Sequence, residues 1–274
     1  MVKYLLEMHT EWNLLLMDLK YAKLEKGVYR LNIYYSNDEI IRSNDRRVQP
    51  GADMSMAFMP PEPLNKHIPQ NIKLSNYVRC PAFTDTVKNT YALKFPFSFK
   101  VKIDQSTGEV ESDAPELVKL YFIPPTDKSG IIQMQLGTLF FADKPCIASQ
   151  MHPYLHNNTL TQQCNILQGE YDIGKWLRPI NLAFVVNGSK KQIILDFKRG
   201  DIYSYMRFFT DEKIKMTEFG LTNDIQDIVS RCLSLKFCKT GNTMPLKEVY
   251  SNFLRKRYNK KLLRLINENK IGEI

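Results

Sequence analysis

The sequence lacks the short motifs that mark the common enzyme classes. It contains no glycine-rich phosphate-binding loop, no dinucleotide-binding glycine pattern and no Gly-x-Ser-x-Gly nucleophile elbow. Cys80 precedes Pro81 and Cys146 follows Pro145, but neither thiol stands in the surroundings of a known catalytic cysteine. Free cysteines are usually small buried hydrophobic residues. We therefore predict a protein that is not an enzyme and that needs no cofactor.

Cysteine and long apolar runs are also scarce. The five cysteines are an odd number in a chain of 274 residues, which favours reduced thiols over a disulfide framework. No apolar run approaches the roughly 18 residues that cross a membrane. The first residues show no small-residue cleavage site, and Glu7, His9 and Glu11 interrupt their apolar run. We expect synthesis in a cytoplasm, without a signal peptide and without a membrane span.

Positive charge is concentrated near the end of the chain. The formal net charge is +9, and residues 245–270 hold eight Lys or Arg side chains against Glu248 and Glu268. The rest of the chain is close to an ordinary balance. Any electrostatic role is therefore expected from residues 245–270.

Short strand patterns fill most of the chain. Residues 27–35 alternate apolar and polar side chains, and Phe95 to Ile103 present aromatic and aliphatic residues on one face and lysines on the other. Pro96 in the second pattern favours an edge or a kink. Residues 117–124 and 130–143 follow as further strands, the latter broken at Gly137. The pair Asn187-Gly188 between two apolar runs predicts a β-hairpin.

These patterns predict an α+β protein with a β-rich, sandwich or barrel-like body over residues 1–220. Residues 5–26 fit a helix that ends at Gly27, and residues 36–76 form a proline-rich loop or an arm laid on a neighbouring molecule. Cys80 to Asn89 are interpreted as a loop that sets the register of the strand after it. Residues 221–274 are predicted to form a pair of helices packed on the body, the second of them long and basic.

The basic second helix is the clearest candidate site. Its polar face offers an interface or a phosphate-binding surface. A solvated face on a helix docked to its own domain is the alternative. Trp176 and Arg178 form a second candidate, because these residue types are frequent anchors of protein interfaces. The predicted interface residues of the helix are Arg255, Lys256, Arg257, Lys260, Lys261 and Arg264.

A metal site is a further alternative. Cys146, His152, His156 and Cys164 are the right residue types for zinc, although their spacing matches no known finger and Pro153 interrupts the segment. The turn and strand around Asp201 resemble those of cupins, which often carry metals. The segment holds no His-x-His pair on a strand that could bind such a metal. A cupin-like metal enzyme therefore stays open as an alternative function.

Several stretches resemble uncharacterised proteins of tailed bacteriophages. The likeness covers roughly residues 77–210 and rests on the Cys-Pro-Ala and Lys-Asn-Thr motifs at 80–90 and on the Asp-Ile-x-x-Trp-x-Arg-Pro motif at 172–179. It implies a phage origin and transfers no functional residues. With this origin we expect a multi-copy structural or assembly protein of the virion, at the neck, tail or baseplate or as a capsid accessory. It is made in the host cytoplasm and contacts other virion proteins. Residues 245–270 would meet an acidic partner or DNA, so a nucleic-acid-binding accessory protein is the remaining alternative.

Overall fold

A computed structural model describes residues 30–37, 59–123, 130–175, 177–188, 191–233 and 246–273. The fold is α+β and rich in strand, as predicted. The predicted helix over 5–26 and much of the predicted arm over 36–76 lie outside these residues. Within the described part, residues 59–69 contact the body, because the short strand β2 pairs with β3.

The described part contains sixteen strands and seven helices. The strands are β1 (Arg30–Asn37), β2 (Glu62–Pro63), β3 (Thr90–Lys94), β4 (Phe99–Asp104), β5 (Val110–Ser112), β6 (Phe122–Ile123), β7 (Ile132–Met134), β8 (Thr138–Ala142), β9 (Ile147–Met151), β10 (Cys164–Ile166), β11 (Gly169–Asp172), β12 (Leu182–Val186), β13 (Gln192–Phe197), β14 (Ile202–Phe209), β15 (Lys213–Phe219) and β16 (Lys270–Glu273). The helices are α1 (Gln70–Lys73), α2 (Pro81–Val87), α3 (Pro115–Tyr121), α4 (Thr159–Gln163), α5 (Asn223–Leu233), α6 (Leu246–Arg255) and α7 (Tyr258–Glu268). Two 3-10 turns, Leu64–Lys66 and Asn76–Arg79, flank α1.

The strands form four open sheets. Their orders are β16-β15-β1-β8, β10-β12-β7-β6, β11-β9-β14-β3-β2 and β13-β4-β5. Neighbouring strands run antiparallel in the described pairings except β1 and β15, which are parallel. Part of this arrangement is visible in the sequence, because β4 alternates buried Phe99, Val101 and Ile103 with more exposed lysines.

The largest core lies between the sheets and is rich in aromatic rings. Phe197 is at its centre, with ring centroids 4.7 Å from Phe95 and 4.8 Å from Phe99. Offset and edge-to-face ring pairs of this kind stabilise a core beyond their buried area. Many aromatic side chains, among them Phe95, Phe99, Phe140 and Phe197, are thus buried inside the β body.

Strand β8 joins this β core to a second, helical core. All five of its residues are buried. Phe140 packs into the β core, whereas Leu139 and Phe141 pack with the C-terminal helices. Because side chains alternate across a strand, one strand can supply both layers. Helices α5, α6 and α7 therefore pack as a helical layer on the sheet that contains β8.

Three local predictions are wrong. Asn187-Gly188 does not close a hairpin, since β12 pairs with β10 and β7 while β13 pairs with β4. Gly188 does turn the chain, at φ 77°, but the turn leads into a different sheet. Residues 81–87 and 115–121 are helices, each with a proline at the start, where its missing N–H costs nothing.

Another strand prediction needs adjustment, and the predicted strand break is confirmed. The alternating pattern from Phe95 becomes a strand only at Phe99, because Pro96 lies in the turn between β3 and β4. The break at Gly137 is confirmed, as this residue has a positive φ between β7 and β8.

The predicted long basic helix is instead two helices. Helix α6 ends at Arg255, and α7 begins at Tyr258. Arg257 between them has φ 55° and ψ 28°, the left-handed conformation, which breaks the helical hydrogen bonding. Among its described residues, 221–233 and 246–273, the C-terminal segment therefore has three helices rather than a pair, followed by β16, which joins the sheet of the body.

Candidate interaction surfaces

The six predicted cations lie together around the turn between α6 and α7. We call Arg255, Lys256, Arg257, Lys260, Lys261 and Arg264 the cationic corner; all six side chains are exposed. The opposite faces of the two helices are buried, with Phe253, Leu262 and Ile266 in the helical core. The amphipathic pattern of the sequence thus directs the charges outward and holds their backbone on the sheet.

Carboxylates of the described residues leave most of this charge unpaired. Arg264 Nε lies 3.9 Å from Glu268, and Arg255 donates a hydrogen bond of 2.5 Å to Asn252. For Lys256, Arg257, Lys260 and Lys261, no carboxylate of the described residues lies within ion-pair distance. Neighbouring like charges without counter-charges create a positive potential that attracts anionic surfaces.

The corner offers little apolar surface. Within α6 and α7, none of the described large hydrophobic side chains is exposed; the nearest along the chain is Ile271 in β16. Phe253 is buried, and the Tyr258 ring lies 5.5 Å from the guanidinium of Arg231. These aromatic residues support the fold rather than offering a platform for stacked bases.

The second predicted pair is not described in full. Trp176 lies outside the described residues. Arg178 is half-buried and interacts with the hydroxyl of Tyr250 in α6. Burial raises the pKa of Tyr250, and the nearby Arg178 partly opposes this effect. Arg178 therefore links the segment after β11 to the helical layer.

The proposed zinc ligands do not form a metal site. The described residues contain no group of three or more His, Cys, Asp or Glu arranged to hold a metal ion. Both ring nitrogens of His156 have protein partners: Nδ1 lies 2.6 Å from the Tyr205 hydroxyl, and Nε2 lies 2.8 Å from the carbonyl oxygen of His67. Burial raises the pKa of the thiols of Cys146 and Cys164 to about 11 and about 12, which disfavours the thiolate that a metal needs.

A polar cluster that the sequence did not indicate lies beside His156. Glu62 forms an ion pair of 2.8 Å with Lys94, a side chain only 9% exposed, and hydrogen-bonds His67. Lys94 and then His67 lower the pKa of the Glu62 carboxyl, although burial works against them. Together with the His156–His67 contact, these bonds fix residues 62–67 against β3. The cluster has a clear structural role.

An open groove lies next to this segment. Its volume is about 610 Å³, within the range of ligand-binding clefts. Its apolar lining comes from Leu64, Ile68, Val78, Phe83, Val87 and Tyr91, among others. Lys88 and Lys213 also line it, and no carboxylate does.

Asn89 is one of the residues that line the groove. This residue has φ 56°, a conformation that asparagine tolerates better than most residues. Its side-chain amide donates to the carbonyl oxygens of Thr210 at 2.7 Å and Glu212 at 3.4 Å. These bonds place the start of β15, and with it Lys213, beside α2.

Comparison with protein-family models, with curated proteins and with solved structures gives no match to this chain. Among the helices described, none is long and apolar enough to cross a membrane. The resemblance to tailed-phage proteins stays a prediction from the sequence motifs.

Proposed function

We propose that this chain is a non-enzymatic assembly protein of a tailed-phage particle, which binds an acidic surface of a neighbouring particle protein through the cationic corner. The observation that supports this proposal is the set of four exposed cations, Lys256, Arg257, Lys260 and Lys261, without a carboxylate partner in the described chain. Their helices are held by a buried core, so the charges are presented on a fixed frame. Complementary charge of this kind speeds the encounter of subunits and selects the partner.

A charge-reversal experiment tests the proposal. The variant has Glu at positions 256, 257, 260 and 261, and the matched control has Glu in place of the exposed residues Lys66, Lys73, Lys191 and Lys198. Both variants change the net charge equally. Particles are grown with each version and analysed by mass spectrometry. We expect the wild type and the control in the particles and the corner variant depleted by about tenfold or more.

Absence of the wild-type protein from purified particles would contradict the assembly role. Equal depletion of the two variants would show that total charge matters and that the corner does not. Circular dichroism of both variants establishes that the fold is retained.

A nucleic-acid-binding accessory protein is the second candidate, and one observation favours it. The corner lacks exposed large apolar side chains, whereas protein interfaces usually contain apolar anchors. Binding to a phosphate backbone needs only cations. Duplex DNA binding that weakens steeply with salt, and that the corner variant but not the control loses, would favour this function over binding to an acidic protein.

A further inference from the structure

The groove of about 610 Å³ combines an apolar lining with two exposed cations. Leu64 and Phe83 are buried within its walls, while Ile68 and Val87 are half-buried. A lining of this kind favours a ligand with an apolar body, because burial of that body removes apolar surface from water. The volume is that of a cleft for a small molecule.

The two lysines of the groove flank one hydrogen bond between distant parts of the chain. Lys88 precedes Asn89, Lys213 follows Glu212, and the side-chain amide of Asn89 donates to the carbonyl oxygen of Glu212 at 3.4 Å. Both lysines are exposed, and no carboxylate of the described residues lies within ion-pair distance of either. The carboxylate of Glu212 is paired with Lys144 at 2.8 Å. A single anionic group can therefore be attracted by both lysines.

Three other polar side chains of the lining donate their hydrogen bonds to the protein itself. The hydroxyl of Thr84 donates to the carbonyl oxygen of Pro81 at 3.0 Å, and that of Thr90 donates to the carbonyl oxygen of Thr86 at 2.6 Å. The amide of Asn89 is engaged as described above. A bound polypeptide would bring carbonyl oxygens that need donors once water is excluded. An alkyl chain has no such need, so it suits this lining better.

We propose that the groove binds a single-chain amphiphilic anion, which is a molecule with one anionic head and an alkyl body, such as a fatty acid. The head is attracted by Lys88 and Lys213. The body lies against the apolar side chains of Leu64, Ile68 and Phe83. This inference is independent of the proposed assembly role, because it uses neither the cationic corner nor a particle partner.

Calorimetric titration of the full chain with monomeric dodecanoate tests the inference. We expect one dodecanoate per chain. Shorter alkyl carboxylates should bind about fourfold more weakly for each CH₂ group removed, because less apolar surface is buried. A dependence on chain length of this kind would show that the alkyl body, and not the charge alone, contributes to binding.

A pair of charge-reversal variants tests the role of the lysines. The groove variant Lys88→Glu/Lys213→Glu should bind dodecanoate about tenfold more weakly, because two attractions become repulsions. The control Lys191→Glu/Lys198→Glu has the same charge change on exposed lysines outside the groove lining, and it should bind dodecanoate like the wild type.

A change of the ligand head gives the sharper readout. Dodecyltrimethylammonium has the same alkyl chain with a cationic head, and it should bind the groove variant more tightly than the wild type. A merely structural defect would not produce this exchange of preference. Dodecyl phosphate has a different anionic head and should follow dodecanoate; the tighter of the two identifies the preferred head.

Several outcomes would overturn the proposal. The wild type would fail to bind dodecanoate, or the groove and control variants would weaken binding equally. An acidic, leucine-rich peptide that binds the groove where dodecanoate does not would assign the groove to a protein partner. Binding that disappears as the protein concentration rises would show that a second copy of the chain covers the groove.

Discussion

The cationic corner and the groove both present lysines without described carboxylate partners, yet their surroundings differ. In the corner, cations follow one another around a helix turn and no large apolar side chain is exposed among them. In the groove, two lysines stand at the rim of an apolar cleft. The same residue type thus stands among other cations in one region and beside apolar side chains in the other.

Different parts of the fold also hold the two regions in place. The corner depends on helices α6 and α7, which are anchored by one core that also includes Leu139 and Phe141 of β8. The groove depends on short elements around α2 and residues 62–68, fixed by a small cluster of Leu64, Ala92, Ile202 and Tyr205 and by polar bonds. The corner should therefore respond most to loss of packing, and the groove to changes of charge and protonation.

The largest expected effect is a loss of stability when the helical core under the corner is disrupted. Leu262 is fully buried under the corner, and Leu262→Ala should lower the free energy of unfolding by about 3 kcal/mol. Leu263→Ala, at a half-buried neighbour, should cost clearly less. Chemical denaturation measures both. A loss below about 1 kcal/mol for Leu262→Ala would mean that the helical layer contributes little to stability.

Salt should separate the two regions next. With duplex DNA as the polyanionic probe, four phosphate contacts predict that the affinity of the corner falls about a hundredfold between 50 and 200 mM salt. The corner variant, with Glu at positions 256, 257, 260 and 261, should lose this salt dependence, whereas Lys88→Glu/Lys213→Glu in the groove should change it far less. Fluorescence titration at several salt concentrations measures both. An equal loss in the two variants would break the distinction between the regions.

A smaller effect is expected at the turn within the corner. Arg257 adopts the left-handed conformation, which costs a residue other than glycine roughly 1 kcal/mol. Arg257→Gly should therefore raise the free energy of unfolding by somewhat less than this amount, because glycine also gains freedom in the unfolded chain. Lys256→Gly, at the neighbouring position, should lower it. A destabilising Arg257→Gly would point to an unrecognised contact of its side chain.

The smallest expected effect is that of pH on the segment beside the groove. Burial holds the pKa of His156 and of His152 below the ordinary value. The unfolded chain therefore binds protons first as the pH falls below about 6.5, and the free energy of unfolding decreases from there downward. Thermal denaturation from pH 7.5 to 5 should show this slope, and His152→Gln/His156→Gln should flatten it. An unchanged slope would assign the pH dependence to other groups.

Local patterns in the sequence predicted the outline of the fold but not its pairing. Strands such as β4 and β14 follow from alternation and aromatic content, and the outward cations of α6 and α7 follow from helical spacing. Partner choice could not be predicted, because Asn187-Gly188 turns the chain equally well within a sheet and between two sheets. The turn at Arg257 escaped notice since glycine, not arginine, is the usual sign of a left-handed residue.

The groove could not be predicted from the sequence for a related reason. Its walls come from residues 63–68, from 78–91 and from Lys213, and no short motif links them. The cation cluster of the corner, by contrast, is contiguous in the sequence. The corner could be predicted because its cations are close together in the sequence. The groove could not, because its lining residues are far apart in the sequence.

The parallel pairing of β1 with β15 has a consequence for the timing of folding. Its partners lie about 180 residues apart, and β16 then adds to the outer side of β15. Closing so long a loop costs entropy before any contact rewards it, which slows folding. During synthesis on the ribosome, β1 must wait for about 180 further residues to emerge before this pairing can form. This sheet is thus expected to be complete only after Glu273 has emerged, when β8, β15 and β16 are all available to β1.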